Sequence, residues 1–489
     1  MNLYALLAQR FAPAAGAVCL ELEDGRLYTY AELERESARY ARWLTGLGLE
    51  RGDRVAAQID KSAENVFLYL GCLRAGLVFL PLNTAYQRDE IAYFVADAEP
   101  KAAFCRHESR EWFAGVPHVL APGPAGGTAG AFETRAARAD ELACLIYTSG
   151  TTGRPKGAMI THGNLGSNAL ALHAAWRFAP DDVLVHALPL FHVHGLFVAL
   201  HTALLNASRI VFHSRFEASA VLRALPRASV FMGVPTYYVR LLAEPGLDRQ
   251  ACAGMRLFVS GSAPLAVDTF EAFRSRTGHT ILERYGMTET GMNTSNPYEG
   301  ERIAGTVGFP LEGTEIRVTE PETGRVLGTD EVGMLEVRGP NVFKGYWRNP
   351  EKTQEEFRPD GFFITGDLGK IDARDYVHIV GRGKDLIISG GFNVYPKEIE
   401  LAIDALDGVQ ESAVIGVPHP DFGEGVTAVV VRRPGAALDE ADVQKALSDK
   451  LAKFKQPKRV LFVDDLPRNT MGKVQKNLLR TQYEGLYRG

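Results

Sequence analysis

Residues 147–157 read YTSGTTGRPKG, with four Ser/Thr hydroxyls, three glycines and one lysine in eleven positions. Such a string suits an anion. Glycines tolerate φ > 0 and leave amide N–H groups open as a nest, while Thr148, Ser149, Thr151 and Thr152 add hydroxyl donors and Lys156 adds charge. The chemistry implied is phosphate binding. The order Gly150, Thr151, Thr152, Gly153, Arg154, Pro155, Lys156 departs from G-x-x-x-x-G-K-S/T, in which the lysine opens a helix. Here Pro155 fixes the approach to Lys156, a feature that a merely flexible Gly/Ser linker does not need.

The elements that must position this loop are legible on either side. The apolar LACLIY before it and AMIT after it read as strands, so the loop joins two strands. Upstream, Thr29 and Glu32 form a capping box. They open an amphipathic helix with Leu33, Tyr40, Ala41 and Leu44 on one face and Gly46 at its end. RVAAQID then reads as a strand, and Ser62 caps a second helix that presents Val66, Tyr69, Leu70 and Leu73 and stops at Gly76. LVFLPLN is the next strand. This alternation predicts an α/β fold with doubly wound subdomains. Residues 114–130, rich in Ala, Gly and Pro without a period, read as a surface connection.

A β-rich stretch leads to GRGKDLIISGGF, where glycines at 381, 383, 390 and 391 break the chain. Beyond it ESAVIGV, VTAVVV and RVLFVDDL read as strands and Asp439 to Lys455 as a helix ended by Pro457, a small α+β unit. The expected organisation is a large N-terminal domain over 1–380, a joint at 381–385 and a small mobile C-terminal domain over 386–489.

The chain has 489 residues, too many for one ordinary core. Its 54 basic against 59 acidic side chains give a net charge of -5 and no basic footprint for nucleic acid. No run of apolar residues is long enough for a membrane span, and no basic leader precedes the mildly apolar N-terminus. The five cysteines are scattered and form no C-x-x-C pair, which points to a reducing compartment, the cytoplasm. Small molecules are the partners that remain.

Eight ordered landmarks, YTSGTTGRPKG, PLFHVHG, GSAPL, RYGMTET, TGDLG, GRGKDLI, YPKEIE and LPRNTMGKVQK, resemble those of the adenylate-forming superfamily of acyl-CoA synthetases, adenylation domains and luciferases. The resemblance implies ATP, Mg2+ and coenzyme A as cofactors and substrates. It places the ATP phosphates at Thr148, Ser149, Gly150, Thr151, Thr152, Gly153 and Lys156. Adenine lies between Tyr285 and the backbone of Gly261, Ser262 and Ala263, with Glu283, Arg284, Gly286, Met287 and Thr288 completing the nucleotide segment. Glu289, a hard carboxylate, and Thr151 are implied for Mg2+. Asp367 is implied for the ribose hydroxyls, Arg382 for the ribose and phosphate, and Lys473 as the catalytic charge at the α-phosphate, with His192 also in the catalytic set. Lys384 is implied as a hinge, and Gly390 and Gly391 as coenzyme A contacts. The catalytic lysine of some relatives is acetylated, so a lysine acetyltransferase and deacetylase acting on Lys473 are implied partners.

Where many relatives have glycine before the adenine tyrosine, this chain has Arg284. A cation there is costly beside a fatty chain but pairs with a second carboxylate, about 4 kcal/mol at 4 Å for an effective dielectric near 20. His192 and His194 add polar groups, and Ser262 and Met287 complete the acid pocket. The alternative is that Arg284 pairs with Glu283 or a distant acid. The segments ALPLFHVHGLF, MGVPTYYVRLL and LERYGMTETGMNTSNPY resemble the malonate-activating branch of the superfamily, which implies malonate, with methylmalonate as a second substrate.

Overall fold

The computed structural model describes residues 1–123, 130–148, 155–389, 392–448, 450–451, 453–469 and 472–488. Two compact units emerge, Met1–Ile316 with Val337–Phe363, and Arg317–Glu336 with Ile364–Gly489.

Short, nearly continuous apolar runs such as VFLP, AAFC, VLVH, RIVF, VFMG and LFVS build the first unit. Runs of this kind belong in parallel sheets covered on both faces. Six strands form one sheet in the order His118–Leu120, Ala102–Cys105, Arg54–Gln58, Val78–Pro81, Leu142–Thr148, Lys156–Thr161. The last two are an antiparallel hairpin that pairs Thr148 with Lys156. Nine strands form the other, in the order Phe309–Pro310, Gly291–Ser295, Leu282–Met287, Leu257–Ser260, Val230–Gly233, Val183–His186, Arg209–Phe212, Val18–Leu22, Leu27–Thr29. From Val183–His186 the chain passes to Arg209–Phe212 on one flank and then to Val230–Gly233 on the other. The winding reverses at Val183–His186, and the carboxyl end of a strand at such a switch point is where doubly wound sheets bind ligands.

The expected helices hold these sheets. Tyr30–Gly46 opens on the capping box, with Glu32 N–H donating to Thr29 Oγ1 (3.2 Å) and Thr29 N–H to the Glu32 carboxylate (2.8 Å). Leu33, Tyr40, Ala41 and Leu44 are buried. Ser62 caps Ala63–Ala75, which ends at Gly76 with φ 69°, a conformation that favours glycine.

Glu315–Thr319, Gly333–Arg338, Phe363–Ile371 and Val377–Arg382 form a four-stranded sheet, most of whose residues belong to the second unit. A five-stranded sheet follows, centred on the long hairpin Val409–His419 and Gly423–Arg432, with Arg459–Val463 parallel to the latter. Its side chains alternate between two cores. Val414, Val426, Ala428 and Val430 pack with Ile399, Ile403, Val443 and Leu447 on one face, while Ala413, Ile415, Val417, Val429 and Val431 pack with Leu466 and Leu479 on the other. The helix expected over Asp439 to Lys455 is shorter and spans Glu440–Ser448. Gln456 Nε2 donates to the carbonyls of Ser448 and Leu451 (3.2 and 2.8 Å), so the chain turns where a side chain satisfies the helix end.

Candidate active site

Four landmark segments converge at the carboxyl edge of the nine-stranded sheet because their strands are neighbours. FHVHG follows Val183–His186, GVPT follows Val230–Gly233, GSAPL follows Leu257–Ser260, and RYGMTE lies in and after Leu282–Met287. Parallel pairing sets Ser260 beside Glu283, which brings Gly261 against Arg284. A Cβ on Gly261 would lie 2.4 Å from the guanidinium carbon of Arg284, so only glycine leaves that cation its place. Ser262 holds φ 70°, a left-handed conformation uncommon for serine, at the foot of the same cleft.

Arg284 is 4% exposed, and its Nε and Nη2 have no hydrogen-bonding partner among the described residues. Burial pushes its guanidinium down to about 9, still charged at pH 7. The strand's alternation turns Glu283 to the opposite face. There its carboxylate accepts from Leu265 N–H (3.4 Å) and Gly305 N–H (3.2 Å), while Asn296 clamps its carbonyl through backbone N–H (2.9 Å) and Nδ2 (3.1 Å). His194 is fully buried, its Nδ1 lies 3.3 Å from Ser262 Oγ, and its Nε2 has no partner among the described residues. Burial, and then the charge of Arg284, hold that imidazole well below the usual histidine range, so it is neutral. His192 is half-buried and accepts His194 N–H at Nδ1 (3.2 Å). Buried guanidinium N–H donors without acceptors describe a site completed by an anion.

Tyr285, Gly286, Met287 and Thr288 form a half-exposed row next to it. At Gly286 a Cβ would stand 2.1 Å from the Gly291 carbonyl oxygen, so the tight hairpin requires glycine.

At the hairpin that carries the hydroxyl-rich loop, the structure describes both stems. Thr148 Oγ1 donates to Glu289 (3.2 Å), and Lys156 Nζ lies 3.5 Å from Glu356 and 5.0 Å from the centre of the Tyr346 ring. Tyr346 hydroxyl reaches Glu356 (2.6 Å) and Glu289 (3.2 Å), tying the two stems through one phenol. Glu289, 6% exposed and surrounded by hydroxyls, is the carboxylate here with the chemistry to hold Mg2+, which usually takes one or two carboxylates with phosphates and water. No cluster of three or more His, Cys, Asp or Glu fit to hold a metal exists among the described residues. Tyr346 and Glu356 were not singled out from the sequence, since a Tyr and a Glu ten residues apart match no short motif.

In the second unit Asp367 and Arg382 face each other across paired strands and join at 2.7 Å. Lys473 sits in a hairpin closed by Asn469 N–H to Lys473 O (2.9 Å) and Lys473 N–H to Asn469 Oδ1 (3.0 Å). Arg468 braces that hairpin through Gly472 O (2.6 Å) and a pair with Glu411. Crowding by protein atoms, and then the charge of Arg382, push the Lys473 ammonium down to about 8, with Asp367 opposing. The residue keeps an exposed surface, and the charges beside it also include Lys384 and Asp385, which oppose each other. Lys384 lies in the 3-10 turn Gly383–Asp385, and Asp385 is held by Arg480 at 2.6 Å. Ser149, Gly150, Thr151, Thr152, Gly153, Gly390 and Gly391 lie outside the described residues. All five cysteines are buried free thiols, and no described helix is long and apolar enough to cross a membrane.

A doubly wound sheet with buried polar groups at its switch point and a small α+β unit match, by their sequence, a nucleotide-dependent class of ligases. Residues 8–347 match the AMP-binding enzyme family and residues 398–473 its C-terminal domain, and the chain belongs to that family. ATP-bound MatB from Rhodopseudomonas palustris is 56% identical, with a TM-score of 0.97 over 99% of both chains. A feruloyl-CoA synthase from Amycolatopsis sp is 37% identical over 97% of each chain. A malonate–CoA ligase from Arabidopsis thaliana is 34% identical over 94% of this chain and 85% of its own.

Proposed function

We propose that this protein joins malonate to coenzyme A, spending ATP and releasing AMP and pyrophosphate, with methylmalonate as a second substrate. A malonate carboxylate oxygen attacks the α-phosphorus of ATP and pyrophosphate leaves; the thiol of coenzyme A then attacks the acyl carbon of malonyl-adenylate and AMP leaves. The observation that carries the reading is the buried guanidinium of Arg284, with two unpaired nitrogens, beside a neutral His194 with an unpaired Nε2. A second carboxylate satisfies both, whereas a monocarboxylate such as the aromatic acid named for the feruloyl relative leaves the cation bare.

The remaining residues take the roles that the family resemblance assigns. Lys156 and Lys473 supply positive charge to the phosphates, Asp367 accepts the ribose hydroxyls, and Tyr285 stacks on adenine. Mg2+, held through Glu289, would neutralise charge on the phosphates. Lys384 is the pivot about which the small domain turns between the two half-reactions. The free buried thiols support a reducing compartment, the cytoplasm.

The test is pyrophosphate release across acetate, propionate, malonate, methylmalonate, succinate and ferulate, with and without coenzyme A. Malonate should give the highest kcat/KM. Equal use of propionate or ferulate would sink the assignment.

A further inference from the structure

Lys61 has no role in the chemistry above, and its position is costly. It stands immediately before Ser62, the N-cap of Ala63–Ala75, where the helix dipole disfavours a cation by about 0.3–1 kcal/mol. Its side chain nevertheless turns inward. Its Nζ lies 2.8 Å from Nδ1 and 2.7 Å from the carbonyl oxygen of His186, and 4.3 Å from the centre of the Phe212 ring, and burial holds this amine well below the usual lysine range. His186, 1% exposed, is the last residue of the switch-point strand, and its Nε2 lies 2.9 Å from Gly195 O.

These contacts fix a tautomer. A carbonyl can only accept, so the imidazole hydrogen is on Nε2, and the neutral ring offers its Nδ1 lone pair to Lys61. An imidazolium is disfavoured as well, since burial holds this ring well below the usual histidine range. Gly195 belongs to the π-helical turn His194–Ala199, and its carbonyl also accepts Leu200 N–H. That turn is pressed against Pro189, whose carbonyl oxygen would be 2.1 Å from a Cβ on Gly195. The result is a continuous link from the six-stranded sheet, through His186, to the turn that begins with His194.

We propose that Lys61 is a positioning residue for the acid pocket, acting through neutral His186 to fix the Gly195 carbonyl and so to hold His194 beside Arg284 and Ser262. This rests on the acid-pocket reading above. A lysine that merely braces the two sheets would alter stability without favouring one substrate over the other.

The experiment uses the full-length protein, pyrophosphate release with malonate and MgATP as varied substrates, and calorimetric MgATP binding as a check of folding. Lys61→Met and His186→Asn, which lose the donor and the reach to Gly195, should raise KM for malonate by about tenfold or more, with kcat within about threefold and MgATP affinity within about twofold. Lys61→Arg keeps a donor, and His186→Gln puts an amide N–H at the place of Nε2, so both should stay within about threefold of wild type. The proposal is overturned if folded Lys61→Met leaves KM for malonate unchanged or loses malonate and ATP binding in proportion. Should Lys61→Met not fold, the histidine pair decides, and equal behaviour of His186→Gln and His186→Asn overturns it. Wild-type protein that turns over another acid but not malonate refutes the malonate reading alone, and the same variants then report on KM for that acid.

Discussion

Replacing Arg284 with methionine separates a substrate-reading cation from a structural one. Truncating one partner of a buried charge pair costs about 2–5 kcal/mol, or roughly 30- to 5,000-fold in kcat/KM. That loss should fall on malonate, whose second carboxylate would be buried without a partner. Propionate has no such group, and for it the change removes a guanidinium from beside a methyl, so its kcat/KM should hold or rise. The ratio of malonate to propionate should therefore drop by at least about 30-fold. Stability should hold or increase, because Nε and Nη2 of Arg284 give up no hydrogen bond and burial already disfavours the charged form. The assay is pyrophosphate release with each acid at pH 7, beside a thermal melt of each protein. If both acids lose activity in proportion, or if the melting temperature falls steeply while the ratio stays constant, Arg284 is a structural residue.

Lys473→Gln should reduce adenylation by about 10²- to 10³-fold in a pyrophosphate-exchange assay, with MgATP binding retained; full exchange activity would remove the lysine from the mechanism. The Lys473 ammonium, pushed down to about 8, is protonated below that pH, so kcat/KM should decline as pH rises through about 8, and a flat profile to high pH would contradict this. Measured in Arg284→Met with propionate, that limb is free of the guanidinium near 9. Lys384→Pro should spare pyrophosphate exchange and impair thioester formation, whereas equal loss of both would end the hinge reading. Gly286→Ala should cost about 1–3 kcal/mol in a urea titration, because the new methyl meets the Gly291 carbonyl at 2.1 Å and the hairpin must open.

The sheets and leading helices were legible because each is marked locally, as at the Thr29 and Glu32 capping box, Gly76, and apolar runs bounded by Gly and Pro. Arg284 could be singled out because it stands where a family pattern has glycine, but whether it paired with Glu283 could not be read from their adjacency. Strand alternation answers that, since neighbours face opposite ways. Tyr346, Glu356, Lys61 and His186 left no local mark. Their partners are brought together only by tertiary packing, as with Lys61 and His186, 125 positions apart in the chain, the first just past and the second at the end of strands in different sheets. The helix after Asp439 was overextended because the carbonyl-capping Gln456 has no sequence signature.

Leu282–Met287 carries an acid, a base and an aromatic ring in succession at Glu283, Arg284 and Tyr285. A slip of one residue against Val259 or Asn296 would aim a carboxylate or a phenol at the incoming substrate in place of a guanidinium. The electrical sign of the cavity is thus written in a backbone alignment. On the proposed reading of Arg284, Asn296, which fastens the Glu283 carbonyl, would guard which acids are admitted without meeting any of them.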